Sequence, residues 1–423
     1  MSLALGIDIG TSGVRTAVID ETGACLSMAR TDHVPQNPDR IDADLWWQAV
    51  ETCLRAQLAK LADDDIEPGE ISRIAVDGTS GTMVIVDGAL APASRALMYN
   101  SAGFAAEAGE IARYAPASHI TRGANSALAR AMRLASEADG GTARYLLHQA
   151  DFIVAKLTGE GGLSDHNNAL KTGFDPDVET WPEWAAQVIA PDLLPKPAPV
   201  GAPLAMLHGG VARDLGLSPN TVVHAGTTDS IAAFLAASPL VEGYAVTSIG
   251  STLAIKLLSA TRIDDPEIGL YAHRLGDMWL VGGASNTGGA VLSHYFSVEE
   301  IERLSALIGP GQNSGLDYYP LLRPGERFPI NDPDLAPRLT PRPDDDAVFL
   351  HGLMEGIATV EDLCYRAMVA RGAAYPSQIV TAGGAAKSEV LTAIRSNRLA
   401  APLRGAKHTE AAIGAAMCCF LRA

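Results

Sequence analysis

The stretch LALGIDIGTSGVRTAVID (residues 3–20) places two β-prone runs on either side of a small polar turn, Gly10-Thr11-Ser12-Gly13. This pattern predicts a β-hairpin. A turn at Glu21-Thr22-Gly23 and the run Ala24–Arg30 extend it to an antiparallel meander. Leu45, Trp46, Ala49, Val50, Cys53, Leu54, Leu58 and Leu61 then recur at helical spacing, with Asp42 or Asp44 placed to cap. The buried run Ile74–Val76 ends in Asp77-Gly78-Thr79-Ser80-Gly81, and a second run, Met83–Val86, follows. Strand, polar turn and strand repeat the form of the opening, and the plain reading is a second hairpin. Residues 102–138 and 148–157 read as helical, 163–173 as polar and turn-rich, and 181–189 as helical again. Five prolines between 191 and 203 mark a connector.

Beyond it, Thr221–Ala225 predicts a buried strand running into Gly226-Thr227-Thr228-Asp229, with an Ala-rich helix from about Ser230. The stretch GYAVTSIGSTLAIKLL (243–258) returns to the opening pattern, with Ile249-Gly250-Ser251-Thr252 between two β-prone runs. A repeat near the chain midpoint predicts two duplicated domains, cut at 1–238 and 239–423. Met278–Gly283 predicts a strand, and Ala284–Gly289 opens a helix. Residues 310–343 are rich in Pro, Gly and charge and read as irregular. His351–Arg371 predicts a long helix with an apolar stripe. Gln378–Lys387 predicts a strand entering a Gly-Gly turn at a helix start, and a small-residue helix closes the chain near Leu421.

Composition narrows the classes. A length of 423 residues favours two domains, and 47 % hydrophobic residues describe a globular chain. A net charge of −17 argues against nucleic acid or an anionic membrane as partner. It leaves a phosphorylated ligand open, because backbone N–H groups and a cation hold phosphate within an acidic protein. The five cysteines are scattered without zinc spacing, which suits reduced thiols in the cytoplasm. No leader-like start and no apolar run of membrane length are read here.

The candidate chemistry sits in the turns. Thr11, Ser12 and Gly13 offer small side chains and backbone N–H groups to a phosphate, with Asp8 beside them to hold a cation. Asp229 is either a helix N-cap or a carboxylate at the mouth of a strand–helix junction, where open α/β folds place ligands. Asp77 is equally readable as structural or as ligand-facing. Gly383 and Gly384 present a helix N-terminus.

Taken in order, these stretches resemble the FGGY carbohydrate kinases of the sugar kinase/heat-shock chaperone/actin superfamily. LGIDIGTSGVRTAVID looks like the first phosphate motif, VTSIGSTLAIK like the second, TAGGAAKS like the adenosine motif, and AGTTDS like the segment with the catalytic Asp. The resemblance spans nearly the whole chain, which is shorter than many members. It implies two RNase H-like (actin-like ATPase) α/β domains with an interdomain cleft. AVDGTSGT, LMYN, HQAD, SDHNNALKTGFDP and HAGTTDSIAAFLAAS most resemble the plant and cyanobacterial D-ribulokinase type, and Ser80-Gly81-Thr82-Met83-Val84 stands where xylulose kinases carry a GQMHG-like loop.

By that resemblance the reaction is ATP- and Mg²⁺-dependent phosphorylation of a ketopentose, D-ribulose first. Asp229 is then the base; Asp8 holds the metal and touches the sugar. Ser12, Gly13, Asp77 and Ser80 serve the sugar. Thr11, Ser12, Gly250, Ser251 and Thr252 serve the phosphates, and Gly383, Gly384 and Lys387 the adenosine. The expected partner is a small sugar, with the chain a monomer or homodimer. Alternatives are a kinase for xylulose, L-ribulose, glycerol or another polyol, or a non-catalytic chaperone-like or actin-like ATP-binding protein.

Overall fold

A computed structural model describes residues 2–37, 40–138, 140–309 and 311–421. The chain divides into two units: Met1–Ala236 with Arg274–Gly276 and Glu410–Ala423, and Ala237–His273 with Asp277–Thr409.

The first unit contains β1 (Leu3–Ile9), β2 (Gly13–Ile19), β3 (Cys25–Asp32), α1 (Asp44–Asp63), β4 (Ile71–Gly78), β5 (Met83–Val86), α2 (Ala105–Tyr114), α3 (Ala127–Glu137), β6 (Tyr145–His148) and α4 (Gln149–Thr158). It continues through β7 (Leu163–Asp165), α5 (His166–Thr172), β8 (Lys196–Ala198), β9 (Pro203–Met206), α6 (Gly209–Leu215), β10 (Val222–Thr228) and α7, which starts at Asp229. The second unit carries β11 (Tyr244–Ile249), β12 (Leu253–Ser259), β13 (Tyr271–Leu275, whose last two residues fall in the first unit), β14 (Met278–Ser285), α8 (Gly289–Tyr295), α9 (Val298–Ser305), α10 (Asp346–Val369), β15 (Gln378–Ala382), α11 (Glu389–Arg398) and β16 (Leu403–Gly405). The last helix, α12 (Ala411–Cys418), belongs to the first unit.

Each unit is built on one six-stranded sheet, ordered β3-β2-β1-β4-β10-β9 in the first and β13-β14-β12-β11-β15-β16 in the second. In both, an antiparallel meander meets parallel strands: β1 with β4 and β4 with β10 in one, β11 with β15 and β15 with β16 in the other. Five strands correspond in order, β3-β2-β1-β4-β10 in the first sheet and β14-β12-β11-β15-β16 in the second. Parallel strands need both faces covered. In the first sheet α1 and α4 pack Trp46, Leu54, Phe152 and Ile153 into a core with Leu5, Ile7 and Val18. On β1, a Cβ at Gly6 would lie 1.9 Å from the Ala412 carbonyl oxygen, so α12 packs there backbone to backbone. This packing returns 410–423 to the first unit, a return that a single cut after residue 238 does not include. The second core gathers Ile255, Val281, Phe349, Leu353, Ile357 and Ile379.

Several segments differ from their sequence reading. β4 and β5 form no hairpin: β4 runs parallel between β1 and β10, and β5 pairs with β6. The turn at Gly81 (φ +80°) carries the chain out of the main sheet. Residues 163–173 hold a strand and α5, because Asp165 accepts from the Asn167 and Asn168 amides and caps the helix. Within 181–189 only the 3-10 turn Glu183–Gln187 forms. The long helix α10 begins earlier, at Asp346, capped by Asp345. The irregular reading of 310–343 holds for 311–343, and Pro310 lies outside the described residues.

Candidate active site

The first unit brings three carboxylates to the C-terminal ends of three neighbouring parallel strands. Asp8 on β1 stands opposite Asp77 on β4, Asp77 stands opposite Thr227 on β10, and Asp229 is the first residue of α7. C-terminal strand ends are where open α/β sheets bind ligands. Asp8 and Asp77 are buried, and Asp229 is half-buried with its Oδ1 accepting from the Ser230 amide at 2.6 Å. Burial is the first cause that pushes Asp77 well above the usual carboxylate range, and the charges of Asp8 and Asp229 add to it. Burial also raises Asp8, but the Arg15 charge opposes the rise. Both carboxylates are thus pushed up, Asp77 the more strongly, and the Arg15 guanidinium offsets part of the rise at Asp8.

Arg15 was not singled out in the sequence. On β2 it pairs across the hairpin with Asp8, and its guanidinium lies 3.4 Å from Asp8 Oδ2 and 3.3 Å from Glu410 Oε2. The register of the Gly10–Gly13 turn was the signal that pointed to it.

That turn closes through the Gly10 amide, which donates to the Gly13 carbonyl at 2.9 Å. His33 pins it: its amide donates to the Ser12 carbonyl, and its Nε2 lies 3.0 Å from the Gly10 carbonyl. Burial, the largest effect on His33, holds its pKa below the ordinary imidazole value. Thr11 and Ser12 stay exposed.

The turn carrying Ser80 is also held from below. Gln149 Oε1 accepts from the Thr79 amide at 3.1 Å and its hydroxyl at 2.7 Å, and the Thr79 and Thr82 hydroxyls lie 2.6 Å apart. Thr82 Oγ1 accepts from the Tyr99 amide. Beside β10, Asn167 Nδ2 donates to Thr227 Oγ1 at 3.1 Å, and Asn168 Nδ2 donates to Asp165 Oδ2 and the Thr227 carbonyl. These amides fix the strand end that leads to Asp229. Their stretch was read as turn, and Gln149 was unassigned.

The second unit assembles its own loops. The Gly250–Thr252 turn lies over the start of α8, with the Gly289 and Ala290 amides donating to the Gly250 and Ser251 carbonyls. A Cβ at Gly383 would fall 2.7 Å from the Ile249 carbonyl oxygen, so the Gly-Gly turn packs directly on the end of β11. Ser251, Thr252, Gly383, Gly384 and Lys387 are exposed, Lys387 within the 3-10 turn Gly384–Lys387 that precedes α11. Thus Asp8, Thr11, Ser12, Gly13, Asp77, Ser80 and Asp229 lie in the first unit, and Gly250, Ser251, Thr252, Gly383, Gly384 and Lys387 in the second.

Among the described residues no group of three or more His, Cys, Asp and Glu is arranged to hold a metal ion. A nucleotide-borne Mg²⁺ needs only one or two carboxylates beside phosphate oxygens and water. The Asp8 carboxylate at the end of β1 fits that limited role. No helix among the described residues is long and apolar enough to cross a membrane.

The description "FGGY family of carbohydrate kinases, N-terminal domain" matches residues 3–124, and its C-terminal counterpart matches 245–423. The chain belongs to the FGGY family of carbohydrate kinases. Members of this family use ATP, and the activity supported here is that of a sugar kinase acting on a small-molecule sugar. Similar curated proteins include a gluconokinase of Bacillus subtilis (strain 168), 24 % identical over 379 residues, 79 % of this chain and 70 % of that protein. A xylulose kinase of Staphylococcus epidermidis is 24 % identical over 445 residues, covering 98 % of this chain and 87 % of that protein. Among solved structures, a "xyloylose kinase" from Brucella ovis superposes with a TM-score of 0.86 at 22 % identity, covering 98 % and 89 % of the two chains. Plasmodium falciparum glycerol kinase with ADP gives 0.85 at 16 % identity, covering 99 % and 89 %. These structures share the two-domain α/β fold of this FGGY chain.

Proposed function

We propose that this FGGY kinase transfers the γ-phosphoryl group of ATP to D-ribulose, giving D-ribulose 5-phosphate. The observation that carries the reading is the half-buried Asp229 carboxylate at the end of β10, beside the buried Asp8–Asp77 pair. Phosphoryl transfer requires positioning and charge neutralisation more than covalent catalysis. Asp229 accepts the proton of the attacking hydroxyl. Thr11, Ser12 and Gly13 cradle the transferring group, and Arg15 supplies positive charge beside them. Asp8 holds the nucleotide's Mg²⁺, which neutralises phosphate charge when bound. Gly250, Ser251 and Thr252 line the phosphates, and Gly383, Gly384 and Lys387 the adenosine. Asp77 and Ser80 face the sugar.

The choice of D-ribulose is supported by the stretch Ser80-Gly81-Thr82-Met83-Val84, which stands where xylulose kinases carry a GQMHG-like loop. Similar proteins bear the names xylulose kinase and gluconokinase, so the panel must include both sugars. The free cysteines among the described residues suit a reducing cytoplasm. The test is ADP release with Mg·ATP across D-ribulose, D-xylulose, L-ribulose, glycerol and gluconate. D-ribulose giving the highest kcat/KM supports the reading; a higher value for any other member overturns the sugar assignment. Release with none overturns the kinase itself.

A further inference from the structure

Arg130 is a buried cation that no step above employs. It lies in the first turns of α3, 3 % exposed, and burial lowers its pKa to about 10. Among the described residues it forms no ion pair. Its guanidinium instead donates to three carbonyls from three segments: Nε to Gly81 at 2.9 Å, Nη1 to Tyr99 at 3.0 Å and Nη1 to Asn125 at 2.9 Å. The placement is costly on two counts. A desolvated charge is normally paired, and a cation near a helix N-terminus opposes the helix dipole. An apolar side chain filling the same volume would serve packing alone.

The geometry of Gly81 shows what the guanidinium does. Gly81 has φ +80°, and a Cβ there would lie 2.7 Å from Arg130 Nη2. The missing side chain lets the guanidinium approach the peptide next to Ser80. The Gln149–Thr79–Thr82 chain holds one side of the same turn and ends on the Tyr99 amide, while Arg130 takes the Tyr99 carbonyl. Arg130 thus joins the Ser80 turn, the Met98–Ser101 turn and the entry to α3 through one rigid planar group. Lys, a point charge on a flexible stem, cannot reproduce that fork.

We propose that Arg130 is a positioning residue for sugar recognition, holding the Ser80 turn in its substrate-binding conformation without touching substrate. The proposal rests on the reading of Ser80 as a sugar-side residue. Displacement of a recognition group by about 1 Å lowers kcat/KM roughly 100-fold. Arg130→Ala is therefore expected to lose that much in kcat/KM for D-ribulose, chiefly through KM. The KM for ATP and sugar-independent ATP hydrolysis should remain at wild-type values. Guanidinium ion added to Arg130→Ala should restore part of the loss, whereas ethylammonium should not. Arg130→Lys should retain the fold and show the same selective rise in sugar KM, and it carries the test if Arg130→Ala fails to fold. A folded variant with wild-type sugar KM overturns the proposal. So does equal loss in sugar and ATP parameters without guanidinium rescue. A wild-type enzyme inactive on every sugar overturns the functional reading instead, and the control separates the two failures.

Discussion

The Glu361–Arg395 pair predicts how the Gly250 and Gly383 loops of the second unit are held. Both side chains are fully buried in the second unit. Arg395 donates from Nε to Glu361 Oε2 at 2.6 Å and from Nη2 to Oε1 at 2.8 Å, while Nη1 reaches Thr381 Oγ1 at 2.8 Å. Thr247 Oγ1 also donates to Glu361 Oε1, at 2.6 Å. Thr247 and Thr381 face each other on β11 and β15, the strands leading to Gly250 and Gly383. Arg395→Met strands the carboxylate with the Thr247 hydroxyl as its remaining hydrogen-bond donor. Losing one member of a buried pair costs about 3–5 kcal/mol, whereas replacing both with apolar groups is often nearly neutral. Arg395→Met and Glu361→Met should therefore each destabilise by about 3–5 kcal/mol, and the double variant by much less than their sum. Urea unfolding followed by circular dichroism measures all four proteins of the cycle, and the singles should also bind ATP more weakly. Additive single effects, each below about 1 kcal/mol, would refute the reasoning.

Three further outcomes follow from the first unit. Gly6→Ala forces a methyl group against the α12 backbone and should cost about 3 kcal/mol, read as a fall in melting temperature; an unchanged melt contradicts the packing. Burial, with the Asp151 charge adding, raises the Asp165 pKa to about 6, above about 4 in the unfolded chain, so its stabilising contribution is complete at low pH and lost as pH rises through 6. Relative to Asp165→Asn, the wild type should lose about 3 kcal/mol between pH 4 and 7, and parallel urea profiles would refute this. Asp8→Ala should raise the Mg·ATP requirement steeply, and unchanged steady-state kinetics would remove Asp8 from the metal role.

The strand ends were legible because Asp8, Asp77 and Asp229 interrupt apolar runs at small polar turns, a local contrast that needs no tertiary knowledge. The likeness of the two turns was legible for the same reason: Ile249–Thr252 repeats the pattern of Ile9–Ser12. What stayed hidden depends on distant partners. Arg130 meets Gly81 across 49 residues and Gln149 meets Thr79 across 70, so neither spacing carries a local signature. The polar run at 163–173 folds as a helix because Asp165 caps it and its asparagines bond to Thr227, whereas composition alone favours a turn. β5 escaped the hairpin reading because its partner, β6, comes roughly sixty residues later and the turn between β4 and β5 is bonded to α3 and α4. Arg15 was the nearest miss, since the hairpin register alone places it opposite Asp8.

The central claim is that Asp229 accepts the proton of the attacking sugar hydroxyl. Transfer of radiolabelled γ-phosphate from Mg·ATP to D-ribulose, compared in single-turnover experiments on wild type and Asp229→Asn, tests it most directly. Loss of a general base predicts labelled D-ribulose 5-phosphate from the wild type and a rate roughly 10²–10⁴-fold lower in a variant that still folds and binds ATP. A folded Asp229→Asn enzyme transferring phosphate at the wild-type rate would contradict it.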